Sequence, residues 1–291
     1  MKGRARARGA VSVVNAIATG RGASMAIDLP LTATVTLHEH TSEIRVTMTP
    51  DASEDPRLAQ EVVRAVCARV GVAYGADIHT ESAIPVSRGL KSSSAAANAI
   101  GLATNAALAY LEGKTLPERE VLEAGIDAAL KAGVTVTGAY DDACASLLGG
   151  LCVTDNRERR LFHRHEMPDG LQAVLLIPPA KTRKSSVKGL PYGAIAPMAA
   201  LAHDLVMSRR VNEAMTLNGL AYGPLYGVDP QLTVRSLEAG ALSASVSGTG
   251  PAFAALAPPD ALDRVKGALS QFPGDLLVVP VTNKKAEVLP C

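Results

Sequence analysis

The sequence predicts an α+β fold divided into two lobes. Strand-like and helix-like segments are mixed along the 291 residues without the regular alternation of a βαβ protein. Apolar periodicity lapses in the charged stretch 155–165, which indicates a boundary between lobes at residues 1–165 and 166–291. No internal repeat is visible, and the length suits one large domain or two intimately packed ones.

The predicted first lobe begins with strands and continues with helices. Residues 11–14, 33–37, 44–48 and 78–84 are β-branched or alternating runs, which are typical of strands. Between the last two runs, apolar residues recur every four positions, as in a helix that Gly71 ends, at Leu58, Val62, Val66 and Val70. An alanine-rich helix is predicted at 95–110. Thr115 and Glu118 form a capping-box pattern for another helix, which runs to about Lys131.

The remaining elements are predicted in the second half of the chain. A short helix follows Asp141 and Asp142, before a pair of glycines. Strands are expected at 172–177, 243–246, 253–256 and 276–281. Helical stretches are expected at about 196–218, 230–239 and 260–271.

The composition is that of an ordinary globular protein. It is 47% hydrophobic and 20% charged with a formal net charge of +1, which argues against disorder and against a nucleic-acid-binding surface. We expect no signal peptide and no membrane span, because the N-terminal apolar run is short and no unbroken apolar stretch is long enough. The four cysteines form no CxxC pair and are typical of free thiols in a reducing compartment, so we expect a cytoplasmic protein.

The first segment that carries chemistry lies before the alanine-rich helix, at residues 85–97. Gly89 lets the backbone approach a ligand closely. Three consecutive serines, Ser92, Ser93 and Ser94, stand at the helix start, where unpaired N–H groups and the helix dipole favour phosphate. Their hydroxyls can add hydrogen bonds or one Mg²⁺ ligand. The alternative is a glycine turn with serine caps and no ligand, but three serines exceed what a cap needs.

Two further segments could serve the same site. Residues 247–252, with the sequence SGTGPA, form a tight loop of exposed amides that is either an anion nest or an ordinary hairpin turn. Asp141 and Asp142 either cap the helix that follows or act on a substrate hydroxyl, one accepting its proton and the other reaching Mg²⁺. Gly113, Lys114 and Thr115 resemble the end of a P-loop, but the required earlier glycine is Leu108, so that motif fails.

Together the three segments resemble the motifs of the GHMP kinases, which include galactokinase, homoserine kinase and mevalonate kinase. The second motif of that family is matched by Pro85, Gly89, Leu90, Ser92, Ser93 and Ser94. Its glycine-rich third motif is matched by Gly248, Thr249, Gly250 and Pro251. Within the family, GLKSSSA and TGAYDDACAS resemble the archaeal shikimate kinases, and so does the opening segment that follows Gly9.

The resemblance implies the GHMP kinase two-lobe fold, with a ribosomal protein S5 domain 2-like N-terminal lobe and a ferredoxin-like C-terminal lobe. It implies ATP and Mg²⁺ as cofactors, with Ser93 on the metal side, and shikimate as the phosphate acceptor. The residues implied to bind ATP are Pro85, Val86, Ser87, Arg88, Gly89, Leu90, Lys91, Ser92, Ser93, Ser94, Ala95, Gly248, Thr249 and Gly250. No nucleic acid or membrane partner is expected.

The catalytic group of the family falls on Asp141 or Asp142, depending on how the motif is counted, with Asp141 slightly favoured. One departure concerns the lysine that pairs with this aspartate in several members, because the nearest position here is Ala10. Either Lys91 or another basic group substitutes, or the aspartate only orients the hydroxyl, in which case positioning and Mg²⁺ carry the rate.

Shikimate has one carboxylate, so a basic partner is expected. Arg183, in the KTRK run 181–184, is the candidate, and the alternative for this run is a solvated loop. Ser12 and Asn15 are candidates for contacts with the substrate hydroxyls. Other acceptors such as homoserine or mevalonate, a silent metabolite-binding protein of the same fold, and an unrelated α+β protein remain the alternatives.

Overall fold

Two β-sheets, each packed against helices, make up the computed structural model, which describes residues 1–51, 54–135, 137–179, 187 and 189–291. Among these described residues, the first sheet contains seven strands. They are β1 (Lys2–Val14), β2 (Arg21–His38), β3 (Ile44–Thr49), β4 (Gly75–Ser82), β5 (Leu151–Asp155), β6 (Arg160–His165) and β11 (Glu287–Leu289). The mixed α+β class predicted from the sequence is confirmed.

The order of the first sheet is β11-β1-β2-β4-β3, and the β5–β6 hairpin joins it at the start of β2. Residues 21–25 of β2 pair with β5, so the first part of this strand lies between β1 and β5. This stretch is buried apart from its first residue, because layers of the protein cover both faces. Residues 22–25 of β2 are therefore an interior part of the sheet, while Arg21 reaches the surface.

Four helices pack on the first sheet. They are α1 (Arg57–Val70), α2 (Ser92–Glu112), α3 (Glu118–Lys131) and α4 (Tyr140–Leu148). Helix α2 lies against β1 and β2, and its small buried side chains allow close packing, at Ala95, Ala99, Ala103 and Ala107. Both α2 and α4 begin at the same end of the sheet, where the start of β2 lies beneath them.

The second sheet is antiparallel, with the order β10-β7-β9-β8. Its strands are β7 (Gln172–Ile177), β8 (Ser243–Val246), β9 (Phe253–Ala257) and β10 (Asp275–Pro280). Its helices are α5 (Tyr192–Met207), α6 (Val211–Tyr222), α7 (Gln231–Glu238) and α8 (Leu262–Leu269), with a 3₁₀ turn at Pro224–Tyr226. This βαββαβ arrangement is the ferredoxin-like lobe that the resemblance implies.

The last strand connects the end of the chain to its beginning. Strand β11 pairs with β1 and places Glu287 opposite Arg6. The buried guanidinium of Arg8 donates to Asp28 Oδ1 at 2.9 Å and to the Lys285 carbonyl at 2.8 Å, and it also contacts Glu287. A buried charge of this kind is stabilised because its donors are used. The lobe boundary at residue 165 stays a prediction.

Most of the predicted elements are present, and three details differ. The stretch 196–218 is two helices, α5 and α6, separated at 208–210, where Arg209 has a φ of 60°. Helix α3 begins after Pro117 without a side-chain cap, so the capping box of Thr115 is not formed. The charged stretch 155–165 forms a turn and β6. Within the described part of the chain, no helix has the length and apolarity needed to cross a membrane.

Candidate active site

The start of α2 presents a site for an anion. Lys91 is the N-cap residue, with a left-handed φ of 66°, and the three serines that follow are partly buried. Within the described structure, the hydroxyls of Ser92, Ser93 and Ser94 have no side-chain hydrogen bond to the protein. The first N–H groups of a helix also lack intrahelical partners. Hydroxyls, amides and the helix dipole therefore converge on one place, as the sequence predicts.

The loop between β8 and β9 lies directly against the segment before α2. Ser247 Oγ donates to the Gly89 carbonyl at 2.7 Å, and the Ala252 amide donates to the Arg88 carbonyl at 3.0 Å. Gly89 has a φ of 87°, and a Cβ there would lie 2.1 Å from the Ser247 carbonyl oxygen. Only glycine allows these two segments of the backbone to approach so closely. The structure thus brings together the two glycine-rich segments that the sequence singles out.

Ser12 and Asn15, at the end of β1, hold this loop in place. Ser12 Oγ accepts a hydrogen bond from the Gly248 amide at 3.0 Å, and the Ser12 amide donates to Ser247 Oγ at 3.2 Å. Asn15 Nδ2 donates to the Gly248 carbonyl at 2.8 Å. Both side chains are therefore engaged with the protein, and their contact with a substrate stays a prediction.

The Lys91 side chain connects the helix start to the aspartates. Its Nζ lies 2.8 Å from Ser12 Oγ and 3.0 Å from Asp142 Oδ1. The side chains of Lys91 and Asp142 are only 7% and 13% exposed, so solvent screens this pair weakly. Ala10, the position nearest to the lysine that the resemblance implies, is buried in β1, and its amide donates to the Leu90 carbonyl at 3.3 Å. Lys91 is thus the basic group that contacts an aspartate here.

Asp141 lies deeper than Asp142, at the first turn of α4. Asn156 Nδ2 donates to Asp141 Oδ1 at 2.7 Å, and Asn156 Oδ1 accepts from the Asp141 amide at 3.1 Å. Thr154 Oγ1 donates to the same Asn156 oxygen at 2.8 Å and so fixes the orientation of the amide. A Cβ on Gly22 would lie 2.6 Å from Asp141 Oδ2, so the strand presents bare backbone to the carboxylate.

One hydroxyl joins the two carboxylates. Ser24 Oγ lies 2.6 Å from Asp142 Oδ1 and 3.2 Å from Asp141 Oδ2, and its single proton can be donated to only one of them at a time. Burial, and then the charge of Asp142, raise the pKa of Asp141 to about 6, against the opposing effect of Lys91. The site therefore contains two carboxylates in different environments, only one of them paired with a lysine.

Sequence reasoning missed Ser24, Gly22 and Asn156. Ser24 is a single polar residue in the otherwise apolar start of β2, and Asn156 follows β5 in a turn. Neither belongs to a run of chemically similar residues, and their roles depend on packing between distant parts of the chain. The only available signal was a buried polar residue, which usually has a hydrogen-bond partner.

Two predictions concern ligands rather than geometry. Arg183, with the rest of the run 181–184, lies outside the described residues. In the described ranges, no group of three or more His, Cys, Asp or Glu residues could hold a metal ion. Mg²⁺ is commonly bound in proteins through one or two side chains together with substrate phosphates. Ser93 and the neighbouring carboxylates provide the oxygen atoms that this ion prefers.

The arrangement suits phosphoryl transfer. One side offers amides and hydroxyls for phosphate oxygens, and the other offers carboxylates for a hydroxyl group. Both sides meet at Lys91, which is the N-cap residue of α2 and contacts Asp142. Little covalent chemistry is required of a protein for this reaction, so positioning and charge are the properties that matter.

Comparisons with known proteins agree with this geometry. The family model for the GHMP kinases N terminal domain matches residues 57–150, and the model for the GHMP kinases C terminal domain matches 205–275. A protein named shikimate kinase from Methanosarcina mazei is 42% identical over 92% of this chain and 89% of its own length. One of the same name from Pyrococcus furiosus is 36% identical over 96% of this chain and 98% of its own.

Solved structures share the fold at low sequence identity. Homoserine kinase from Cytophaga hutchinsonii superposes with a TM-score of 0.77 at 18% identity, covering 99% of this chain and 97% of the other. Mevalonate diphosphate decarboxylase from Enterococcus faecalis gives 0.75 at 17% identity, covering 100% and 99%. The two family models cover more than half of the chain, in the order of the two lobes. The chain therefore belongs to the GHMP kinase family.

Proposed function

We propose that this protein transfers the γ-phosphoryl group of ATP to a hydroxyl of shikimate, forming shikimate 3-phosphate in the pathway to chorismate and the aromatic amino acids. The observation that carries the proposal is the 36–42% identity to archaeal proteins named shikimate kinase, over at least 87% of this chain. The four cysteines are free, which supports a reducing, cytoplasmic location.

The phosphate half of the reaction belongs to the start of α2 and the loop after β8. The unpaired amides of the helix start bind the triphosphate, and Gly248, Thr249 and Gly250 close over it from the other lobe. Ser93 offers its hydroxyl to Mg²⁺, which when bound neutralises charge on the phosphate oxygens. The segment 85–95 supplies the remaining contacts to ATP, through backbone that Gly89 allows to lie close to the ligand.

The acceptor half belongs to the two aspartates. Of the two alternatives left by the sequence, the geometry favours Asp142 as the group that faces the substrate hydroxyl, because it is less buried and is paired with Lys91 at 3.0 Å. The ammonium group lies against the Asp142 carboxylate and orients it. Asp141, behind it, supports the site through Ser24 and Asn156.

In the transfer step, the substrate oxygen forms a bond to the γ-phosphorus and the bond to the β,γ-bridging oxygen breaks. ADP leaves with that oxygen, and the proton of the hydroxyl passes to the Asp142 carboxylate and then to solvent. A positioned base of this kind contributes about a hundredfold or more to the rate. Arg183 remains the residue that the sequence proposes for the substrate carboxylate.

The first test is ADP release measured with Mg-ATP and shikimate, homoserine or mevalonate in parallel. We expect turnover with shikimate and none above background with the other two. Turnover with homoserine or mevalonate, and none with shikimate, would support a kinase activity but exclude shikimate as its substrate. ATP binding without turnover of any of the three would indicate a silent binding protein.

A further inference from the structure

A cavity of about 460 Å³ lies between the starting end of β2, the turn after β5, and α5. It has no part in the phosphate site described above. The side chains that matter to its chemistry are Thr19, Arg21, Asp155, Arg157, His203 and Asp204. They combine two guanidinium groups with several hydrogen-bond donors and acceptors, in a space of the size that small ligands occupy.

The cavity adjoins the residues that hold Asp141. Arg21 directly precedes Gly22, whose backbone packs against the Asp141 carboxylate. Arg157 directly follows Asn156, which donates to that carboxylate at 2.7 Å. The Asn156 amide also donates to the Gly20 carbonyl at 2.8 Å and joins the two stretches. In both segments, the start of β2 and the turn after β5, a residue that lines the cavity is therefore the direct neighbour of a residue that contacts Asp141.

The two guanidinium groups differ in their pairing: Arg157 is unpaired among the described residues, and Arg21 forms one long, exposed ion pair. In the part of the chain that the structure describes, Arg157 forms no ion pair, and its Nε lies 2.4 Å from the position that a Cβ on Gly20 would take. Arg21 is 57% exposed, and its Nε lies 3.6 Å from Asp155 Oδ2. That carboxylate already accepts the Arg157 and Glu158 amides at 2.9 and 3.0 Å. Neither arginine contacts a catalytic aspartate among these residues.

The floor of the cavity carries an unsatisfied polar atom. His203 is only 3% exposed, and its Nε2 has no hydrogen-bond partner among the described residues. Burial, and then the charge of Arg21, lower the pKa of His203, so the imidazole is neutral near pH 7. A buried polar atom without a partner is costly, so the layer directly beneath the cavity is not packed for stability alone.

The charges of the cavity select the class of ligand. Two guanidinium groups among three carboxylates, Asp155, Glu158 and Asp204, are too little positive charge for a triphosphate but can pair with a single carboxylate, and the three acidic groups can accept hydrogen bonds from hydroxyls. Arginine binds carboxylates through two parallel hydrogen bonds. The combination therefore fits a small acid that has one carboxylate and several hydroxyls.

We propose that this cavity binds the carboxylate end of the acceptor substrate through Arg21 and Arg157, with Thr19 and Asp204 contacting a hydroxyl beside the carboxylate and the hydroxyl to be phosphorylated left for Asp142. This inference rests on the proposed function and specifies how the acceptor is recognised. It assigns the carboxylate to the end of β2 and the turn after β5, in place of Arg183.

The test is steady-state kinetics of Arg21→Ala and Arg157→Ala with shikimate, with shikimate methyl ester and with ATP. We expect KM for shikimate to rise at least about tenfold in each variant, the size of a lost charged hydrogen bond, while KM for ATP stays within about twofold. With the methyl ester, the variants and the wild type should differ by less than about threefold. Arg21→Lys keeps the charge but loses the planar guanidinium that can form two parallel hydrogen bonds, so we expect an intermediate KM for shikimate.

Arg45→Ala is the matched control, because this arginine is 70% exposed and pairs with Glu43 at the far side of the sheet. Far-ultraviolet circular dichroism and thermal unfolding check that each variant is folded. Wild-type turnover of shikimate, combined with unchanged KM in both variants, would overturn the inference. A rise in KM confined to Arg183→Ala would overturn it as well. Absence of shikimate turnover by the wild type would instead remove the proposed function.

Discussion

The two halves of the candidate site are built in different ways. The half proposed for phosphate consists of runs of consecutive residues, 85–90 with 92–95 and 247–251, which offer backbone amides and close backbone contacts. The acceptor half consists of single side chains from separate elements, namely Ser24 of β2, Lys91 before α2, Asp142 of α4 and Asn156 after β5. A phosphate group can be bound by a repeated backbone pattern, whereas a hydroxyl must be oriented by individual groups.

This difference predicts different responses to substitution. A change in the acceptor half should alter the rate and leave the binding of nucleotide unaffected. A change in the phosphate half should alter the packing of the two glycine-rich segments, and therefore stability and ATP binding together. The three substitutions below separate these outcomes.

The largest effect is expected for Asp142→Asn. The amide keeps the shape of the side chain but loses the charge that Lys91 stabilises and the capacity to accept a proton. We expect kcat with shikimate to fall at least about a hundredfold, with KM for ATP within about twofold. Asp77→Asn, at an exposed carboxylate of β4, serves as the control. A full loss in Asp141→Asn, with activity retained in Asp142→Asn, would exchange the roles of the two residues.

The next effect is expected for Gly89→Ala. The new methyl group would lie 2.1 Å from the Ser247 carbonyl oxygen, and the alanine would have to keep a φ of 87°. Gly71→Ala is a close control, because Gly71 has a φ of 86° and nothing within 4 Å of its would-be Cβ. We expect Gly71→Ala to cost about 1 kcal/mol from backbone strain alone.

Gly89→Ala should cost about 2–3 kcal/mol more than this control, in the range of overpacked interiors, and should raise KM for ATP. Chemical denaturation measures the free energies of unfolding. Equal losses in the two variants would show that the close contact between the segments contributes nothing, and would remove the distinction between the halves.

The smallest effect is expected for Asp141→Asn, and it is a gain in the free energy of unfolding rather than a loss. The pKa of Asp141 is about 6, above its ordinary 3.8, so the folded state binds a proton more tightly than the unfolded state. Folding stability therefore falls as pH rises from about 4 to 6, and the full cost of the buried charge is present above that range. Asp141→Asn removes this charge and can still accept the hydrogen bond from Asn156.

We expect Asp141→Asn to stabilise the protein by about 2 kcal/mol at pH 8, with the gain reduced to about half near pH 5. Urea unfolding at the two pH values measures it. A loss of stability at pH 8 would show that the hydrogen bonds of Ser24 and Asn156 outweigh the cost of burying the charge.

The same contrast explains what could be predicted from the sequence. The serines before α2 and the SGTGPA loop were recognisable because glycine and serine stand side by side for a local physical reason. Asp141 and Asp142 were recognisable as a pair at a helix start. Ser24 and Asn156 were not, because an isolated polar residue in a strand or turn acquires its role only through contacts between distant segments.

The fold shows a similar pattern at a larger scale. Periodic helices and β-branched strands were predicted because the pattern itself repeats. The break between α5 and α6 was missed because Ser208, Arg209 and Arg210 include neither glycine nor proline, although Arg209 has a positive φ. Strand β11 is three residues long and partly charged, and it exists only because β1 offers an edge to pair with.

The hydrogen bonds that join the SGTGPA loop to the end of β1 and to the segment before α2 have a consequence for how the protein responds to salt. Ser247 to Gly89, Gly248 to Ser12 and Asn15 to Gly248 are bonds between neutral groups of the two lobes. Because they carry no net charge, dissolved ions screen them little, and the lobes keep their relation as ionic strength rises.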